Sequence, residues 1–190
     1  FEGEDSMYTG VNPEVIGVFG LIITVWVCGL EQLGFGMKGA DHQKVAKTLA
    51  MVAFWFGGVA QLFTAVSLYL TNVLKDPGIS IYLATIFADY GLFWIVVACF
   101  WWFGGEKKQL AHFFVVQLLI SLCFTYVAFV KGLFPLNYCL LFIDGLFLVL
   151  PFLYYGVMPV VLGRVAGVLN ILIGIAAVPL FLKQLLLILK

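Results

Sequence analysis

The stretch that decides the fold runs from Ala50 to Asn72 and reads AMVAFWFGGVAQLFTAVSLYLTN. It contains no charged residue, and it is longer than the ~20 apolar residues that a helix needs to cross a bilayer. Its centre is unusual for a simple membrane anchor, because three aromatic residues run into Gly57, Gly58 and the amide of Gln61. Glycines allow another helix to approach closely, and a buried amide needs a partner in lipid. We therefore predict a membrane-spanning helix whose centre packs against a second helix.

The composition extends this interpretation to the whole chain. Hydrophobic residues make up 64% of the 190 residues and charged residues only 11%, as in polytopic membrane proteins. Ten basic and ten acidic residues balance, so nucleic-acid binding and electrostatic attachment to a membrane surface have no compositional support. We expect an integral, multi-pass protein of the cell (plasma) membrane, with lipid, protein or a small solute as its partners.

Six apolar segments predict an all-α membrane protein with six transmembrane helices per protomer. Asn12 and Pro13 are suited to a helix N-cap and first helical position, so we expect residues 1–11 to form a tail and residues 12–190 a single six-helix domain. The expected spans run from Asn12 to about Leu30, about Lys44 to Asn72, Ile79 to Phe103, Gln109 to Val130, Leu133 to Tyr155, and from about Arg164 into the C-terminal tail.

Other sequence signals refine this arrangement. Pro135 and Pro151 predict kinks in the fifth span. The acidic opening argues against a cleaved secretory signal, because no basic residue precedes the first apolar run. Basic residues are nearly balanced between the two sides of the bundle, which leaves the membrane orientation open.

Residue patterns for catalysis or metal binding are missing from the sequence. His42 and His112 have no second histidine or cysteine at ligand spacing, and the four cysteines lie singly inside apolar segments. The sequence has no G-x-S-x-G, H-E-x-x-H or P-loop motif. We therefore predict no enzyme activity, no metal and no cofactor.

Polar groups at membrane depth are the remaining candidates for function. Each is costly in lipid and must face the interior of the bundle, where an aqueous path would collect them. These residues are Gln61, Asp89, Tyr90, Asn137, Asp144 and Asn170. On the first helix, Gly17, Gly20 and Thr24 form a small, partly polar stripe. The alternative is that the polar groups only pair one helix with the next, or that Asp144 is solvated near an interface.

Three blocks of sequence carry a resemblance to a known family. They are Asn12-Pro13-x-x-x-Gly17, Gly57-Gly58-Val59-Ala60-Gln61 and Tyr90-Gly91-Leu92-Phe93-Trp94. Their order and rough spacing resemble those of the acetate uptake transporter family, also called the succinate–acetate permeases. The second block is similar to the family signature F-Y-G-G-x-A-Q and is the most specific of the three. The resemblance covers nearly the whole chain.

The resemblance implies a homo-hexamer in which each six-helix protomer holds a narrow path for acetate or a related small carboxylate, with proton coupling (symport) proposed for several members. It implies that the carboxylate gathers at the start of the first helix, where free backbone N–H groups favour an anion. The substrate path would involve Asn12, Pro13, Gly17, Thr24, Gln61 and Asp89. The constriction would consist of Leu21, Tyr90 and about Leu141, and Gly57 and Gly58 would serve helix packing.

Two acidic residues depart from the family pattern. Glu14 stands where the family has a small residue, and Asp89 replaces a serine. We expect a protonated Asp89 to admit an anion and an ionised Asp89 to repel it, so that transport rises as pH falls. Besides transport of an acetate-like monocarboxylate, two functions stay open. One is a channel for a neutral solute such as ammonia, water or undissociated acid, and the other is a non-conducting oligomeric scaffold or sensor.

Overall fold

The computed structural model describes residues 13–36, 39–71, 74 and 76–188, without the side chains of residues 186–188. Within these ranges, six helices are long and apolar enough to cross a membrane. They are α1 (Glu14–Leu33), α2 (His42–Thr71), α3 (Pro77–Phe103), α4 (Lys107–Val130), α5 (Leu136–Tyr154) and α6 (Pro159–Ile188). The all-α fold class and the six predicted spans are confirmed. Asn12 and the predicted tail, residues 1–11, lie outside the described residues.

Local sequence determines where these helices begin and end. At the start of α3, a side-chain oxygen of Asp76 accepts a hydrogen bond from the backbone N–H of Gly78 over 2.8 Å. Pro77 occupies the first helical position, where its missing N–H costs little. Helices α1 and α3 are followed by Gly34 and Gly104, whose φ angles of 87° and 81° disfavour residues with a side chain.

The structure corrects two predictions about prolines. Helix α1 begins at Glu14, so Pro13 stands in the N-cap position and not at the first helical position. Pro135 likewise precedes α5 in the N-cap position, so the predicted kink at this residue is wrong. Pro151 does lie inside α5. A proline at a helix start does not remove an internal hydrogen bond, and this explains why Pro135 leaves the helix intact.

The centre of α2 departs from α-helical geometry. Residues Ala53–Val59 form a π-helical turn. A Cβ atom added to Gly57 would lie 2.6 Å from Cγ of Trp94, and one added to Gly58 would lie 2.6 Å from Cγ1 of Ile95. Both distances are too short for real atoms, so only glycine allows α2 and α3 to approach this closely.

The helices form a ring in the order of the chain. Helix α1 packs on α2 and α6, α2 packs on α3, and α5 packs on both α4 and α6. Long side chains join α3 to α4, for example Tyr82, whose hydroxyl donates to the backbone carbonyl of Phe124 over 2.5 Å. The ring leaves a series of cavities along its axis.

Candidate functional site

Three cavities follow one another inside the ring. The first, which we call the vestibule, has a volume of 310 Å³ and is lined by residues that include Glu14 and Gln61. The second, the neck, has a volume of 10 Å³ and contacts Val25. The third, the inner chamber, has a volume of 30 Å³ and contacts Gln32 and Asn170. A water molecule needs about 10–15 Å³ of cavity volume, so the middle cavity of the series has room for about one water.

Shared lining residues connect the three cavities. The vestibule and the neck share Leu21, Tyr90 and Ile143. The neck and the inner chamber share Phe93, Trp94 and Leu146. On α1 the lining residues recur at every third or fourth position and are Glu14, Val18, Leu21, Val25, Cys28 and Gln32. This spacing keeps them on one face of the helix, which therefore follows the cavities from end to end.

Tyr90 contributes a phenol to the lining of the neck, to which Trp94 also contributes its indole ring. Tyr90 is only 4% exposed, and its ring packs against Phe124 and Phe147 with centroid distances of 6.1 Å. Its oxygen lies within hydrogen-bond distance, 2.8 Å, of the hydroxyl of Ser121 on α4. Leu21 and Tyr90, both expected at a constriction, lie together at the boundary between the vestibule and the neck.

The third residue expected at the constriction lies elsewhere. Leu141 is 47% exposed on the outside of the protomer and lines none of the three cavities. Ile143, which is 5% exposed, stands beside Leu21 and Tyr90 instead. Two positions along an α-helix correspond to a rotation of about 200°, so Leu141 and Ile143 point in nearly opposite directions. Leu141 therefore does not line the cavities, and Ile143 stands in the place beside Leu21 and Tyr90 that was expected for it.

The vestibule is lined by hydrogen-bond donors and by an acidic side chain. Gln61 is 1% exposed, and its amide nitrogen has no hydrogen-bond partner among the residues that the structure describes. Glu14 is 5% exposed and accepts a hydrogen bond from the amide nitrogen of Gln184. Lys183 lines the same cavity. The vestibule therefore offers donors for a carboxylate and also holds a carboxylate of the chain itself.

Residues at the start of α1 serve contacts between helices. Thr64 on α2 donates a hydrogen bond to the carbonyl of Pro13 over 2.9 Å. A Cβ atom on Gly17 would lie 2.6 Å from the ring of Phe87, so this glycine permits close packing. The hydroxyl of Thr24 is fully buried and donates to a backbone carbonyl of α1 over 2.8 Å. Gly17 and Thr24, expected along the path, line none of the three cavities.

Asp89 lies beside the cavities and not in them. Its carboxylate accepts a hydrogen bond from the amide nitrogen of Gln117 on α4, and it lines neither the vestibule, the neck nor the inner chamber. Tyr90, the next residue, is rotated by about 100° around the helix and does line them. The expectation that Asp89 faces the path is therefore wrong, because its side chain joins α3 to α4.

Ser121 connects the neck to a second buried carboxyl group. This residue is fully buried, and its hydroxyl donates to Oδ1 of Asp144 on α5, which is 6% exposed. The hydroxyl of Thr125 lies beside the same carboxyl group. Gln117, Ser121 and Thr125 follow one another at intervals of four residues, which places them on one face of α4. Sequence reasoning named Asp144 but missed this stripe, whose spacing was the available signal.

The inner chamber has polar groups of its own. The amide nitrogen of Asn170 donates to the side-chain oxygen of Gln32 over 2.8 Å. The indole nitrogen of Trp101 donates to the hydroxyl of Tyr154 over 3.3 Å. Asn137, another predicted polar residue, is 8% exposed but lines none of the cavities. Across the described ranges, no group of three or more His, Cys, Asp and Glu side chains could hold a metal ion.

Comparison with known proteins identifies the architecture. No protein-family model matches the chain, and no curated protein sequence matches it. A solved structure, described as the structure of the bacterial acetate channel SatP, matches 94% of this chain and 93% of its own with a TM-score of 0.78. The chain has the SatP fold. The sequence identity to SatP is 18%, so the likeness concerns the fold. At that level it confirms the predicted resemblance to the acetate uptake transporter family.

Proposed function

We propose that this chain carries acetate or a similar small monocarboxylate across a membrane through the path inside each protomer. One observation carries the proposal, namely the series of cavities that narrows to 10 Å³ between the vestibule and the inner chamber. The fold that the chain shares with the acetate channel SatP supports the same function.

The neck favours a small and weakly hydrated solute. Its lining consists of aliphatic and aromatic side chains with a single phenol, so a strongly hydrated ion would lose its water shell without compensation. A two-carbon acid needs less widening of this one-water neck than a longer acid does, and it has one polar end, which Tyr90 can contact. Longer acids are therefore disfavoured by size and inorganic ions by the cost of dehydration.

The vestibule would hold the carboxylate before it reaches the neck. The amide nitrogen of Gln61 and the ammonium group of Lys183 can both donate hydrogen bonds to a carboxylate. The first turn of α1 also favours an anion, but Glu14 is part of this turn and repels one. Gln61 and Lys183 are therefore the binding groups in this proposal, and Glu14 weakens the binding.

Uptake of labelled acetate into proteoliposomes tests the proposal. We expect the protein to admit acetate faster than empty liposomes, and Ile143→Trp to abolish this uptake by filling the neck. Leu141→Trp is the matched control, because this side chain lies on the outside of the same helix and its replacement should leave uptake intact. Equal uptake by protein-containing and empty liposomes at every pH from acid to neutral would contradict the proposal.

A second candidate function is a channel for a small neutral solute such as ammonia, water or undissociated acid. The carboxyl group of Glu14 in the vestibule favours it, because an anion would meet a like charge there whenever Glu14 is ionised. An imposed membrane potential separates a carboxylate that crosses alone from a neutral solute, since it drives only the charged species; a carboxylate that crosses with one proton is electroneutral and does not respond. If the protein raises the flux of no solute above that of empty liposomes, it is a non-conducting scaffold or sensor.

We further propose that six protomers assemble as a ring in the cell membrane and that a proton accompanies the carboxylate. The family resemblance supports the hexamer, and large exposed side chains such as Trp55 and Phe103 offer an apolar outer surface for lipid or for a second protomer. Native mass measured in mild detergent tests the assembly, and a purely monomeric protein would exclude it. Alkalinisation of a weakly buffered medium during acetate uptake tests the proton.

A further inference from the structure

Three residues from three helices form a hydrogen-bonded chain that leads away from the neck. The phenol of Tyr90 on α3 contacts the hydroxyl of Ser121 on α4, which contacts the carboxyl group of Asp144 on α5. We propose that Asp144, acting through Ser121, determines whether the neck phenol accepts or donates a hydrogen bond, and thereby which protonation state of the substrate acid passes. This inference rests on the proposed function and assigns Ser121 and Asp144 as positioning residues.

The number of available hydrogens determines which group donates in each of the two hydrogen bonds. The hydroxyl of Ser121 has one hydrogen, and an ionised Asp144 can only accept, so this hydrogen lies between Ser121 and Oδ1 of Asp144. The 2.8 Å contact between Ser121 and Tyr90 must then use the hydrogen of the phenol. With its hydrogen committed to Ser121, Tyr90 can offer the neck only the lone pairs of its oxygen.

A phenol that can only accept discriminates between forms of the same acid. An undissociated carboxylic acid carries an O–H group and can donate to Tyr90. A carboxylate has only acceptor atoms, so beside Tyr90 it would place oxygen against oxygen without a hydrogen between them. While Asp144 is ionised, the neck therefore passes the undissociated acid and resists the anion.

A proton on Oδ1 of Asp144 exchanges the donor and the acceptor in both hydrogen bonds. Asp144 then donates to Ser121, Ser121 rotates its hydroxyl to donate to Tyr90, and the phenol hydrogen becomes available to the neck. One proton is added at Asp144, while the hydroxyl groups of Ser121 and Tyr90 rotate and keep their own hydrogens. A carboxylate can now accept a hydrogen bond at the narrowest point of the path, so anion passage depends on a proton at Asp144.

Among the titratable groups near Tyr90, Asp144 is the one that is hydrogen-bonded to Ser121. Two other titratable groups interact electrostatically with Tyr90, namely Asp89 on its own helix and Cys139 on α5. Asp89 is bonded to Gln117 and not to Ser121. From α4 the carboxyl group of Asp144 meets only hydroxyls, those of Ser121 and Thr125, among the contacts that the structure describes. From α6, Leu169 packs near Gly145, the neighbour of Asp144.

Ser121→Ala tests the chain directly. Removing the serine hydroxyl frees the phenol hydrogen of Tyr90 at every pH. In proteoliposomes under an imposed membrane potential, we expect potential-driven acetate flux at neutral pH to rise by about tenfold, the effect of one hydrogen bond to a charged group. The dependence of this flux on pH should be lost. Ser121→Thr keeps a hydroxyl and should restore the pH dependence.

Two further variants separate this effect from a general loss of structure. Tyr90→Phe removes the phenol, so Ser121→Ala should have no additional effect on flux in that background. Ser80→Ala removes another buried serine hydroxyl, which donates to the carbonyl of Leu68 over 3.0 Å outside the three cavities. It should retain the wild-type pH profile. An unchanged pH profile in Ser121→Ala, in protein that conducts acetate, would overturn the inference and leave the proposed function intact.

A measurement that does not depend on transport completes the test. Infrared difference spectra recorded across pH should show the carboxyl band of protonated Asp144, absent in Asp144→Asn and shifted in Ser121→Ala. The phenol mode of Tyr90, identified by its loss in Tyr90→Phe, should change with the same midpoint as this band. A carboxyl band that titrates while the phenol mode stays constant would refute the coupling, whether or not the protein carries acetate.

Discussion

The hydroxyl of Thr64 donates a hydrogen bond over 2.9 Å to the carbonyl of Pro13, a residue 51 positions earlier in the chain. The same carbonyl accepts the backbone N–H of Ile16 at 3.1 Å. These two bonds fix the start of α1 against α2 and so determine the position of Glu14 in the vestibule. A carboxylate held by the fold at this place is expected to influence every anion that enters.

Replacing this carboxylate should favour anions. We expect Glu14→Gln to increase the initial rate of acetate uptake at neutral pH by about tenfold, because a like charge is removed from a narrow cleft. The measurement is uptake of labelled acetate into proteoliposomes at low ionic strength, where charge effects are least screened.

Glu106→Gln is the matched control for that change. Glu106 is an exposed N-cap residue of α4, away from the three cavities, and glutamine retains an oxygen that can accept the backbone N–H of Lys108. Its uptake should equal that of the wild type. A rate for Glu14→Gln at or below the wild-type rate would show that Glu14 does not oppose the substrate.

The neck should respond to a change at Ile143 and not to the same change at Leu141. We expect Ile143→Ala to widen the neck and raise the flux of a four-carbon acid relative to acetate, because it removes volume beside Tyr90. Leu141→Ala deletes a similar volume from the outer surface of α5 and should leave the ratio unchanged. If Leu141→Ala changed the ratio and Ile143→Ala did not, the neck would lie on the other face of the helix.

Close packing between α2 and α3 should make Gly57 sensitive to a single methyl group. We expect Gly57→Ala to destabilise the protein by about 1–3 kcal/mol, the cost of overpacking, since the added Cβ would lie 2.6 Å from Trp94. Gly145→Ala is the control, because its Cβ would meet Leu169 at an ordinary distance of 3.4 Å. Thermal unfolding in detergent should show a clearly lower Tm for Gly57→Ala alone.

The position of Asp89 predicts that its charge does not control transport. We expect Asp89→Asn to keep the wild-type dependence of acetate flux on pH, since its carboxyl group contacts Gln117 and not the path. Asp144→Asn should flatten that dependence, because it removes the group that titrates in the Tyr90 chain. The comparison requires both variants at equal protein density in the liposomes. A flat profile in Asp89→Asn would restore the sequence-based expectation that Asp89 acts as a gate.

The sequence predicted the six spans because a long uncharged apolar run has few alternatives to a membrane helix. The resemblance to the acetate uptake transporter family also predicted that Leu21 and Tyr90 lie together, by counting from the motifs. Residue-level placement failed where helical rotation decides the outcome. Asp89 is one position from Tyr90 and Leu141 is two positions from Ile143, and such offsets turn a side chain by about 100° and 200°.

Contacts between side chains of different helices could not be predicted from the sequence. The pairing of Ser121 with Tyr90 and Asp144 depends on how α3, α4 and α5 pack, and no local pattern specifies that packing. The polar spacing on α4 was visible, but its partners were not. Glu14 was noted at the start of the first helix, whereas its burial opposite Gln184 required the last helix to be in place.

The π-helical turn Ala53–Val59 determines how the two halves of α2 are rotated relative to each other. Such a turn accommodates one more residue than an α-helical turn, so the two halves of α2 do not follow a single helical wheel. Closing this turn to regular α-helical geometry without loss of a residue would rotate Gln61 by about 100° relative to the first half of the helix. The π-helical turn therefore keeps the amide of Gln61 in the vestibule, and a substitution that abolished the turn would remove the amide from it while every side chain of the lining was retained.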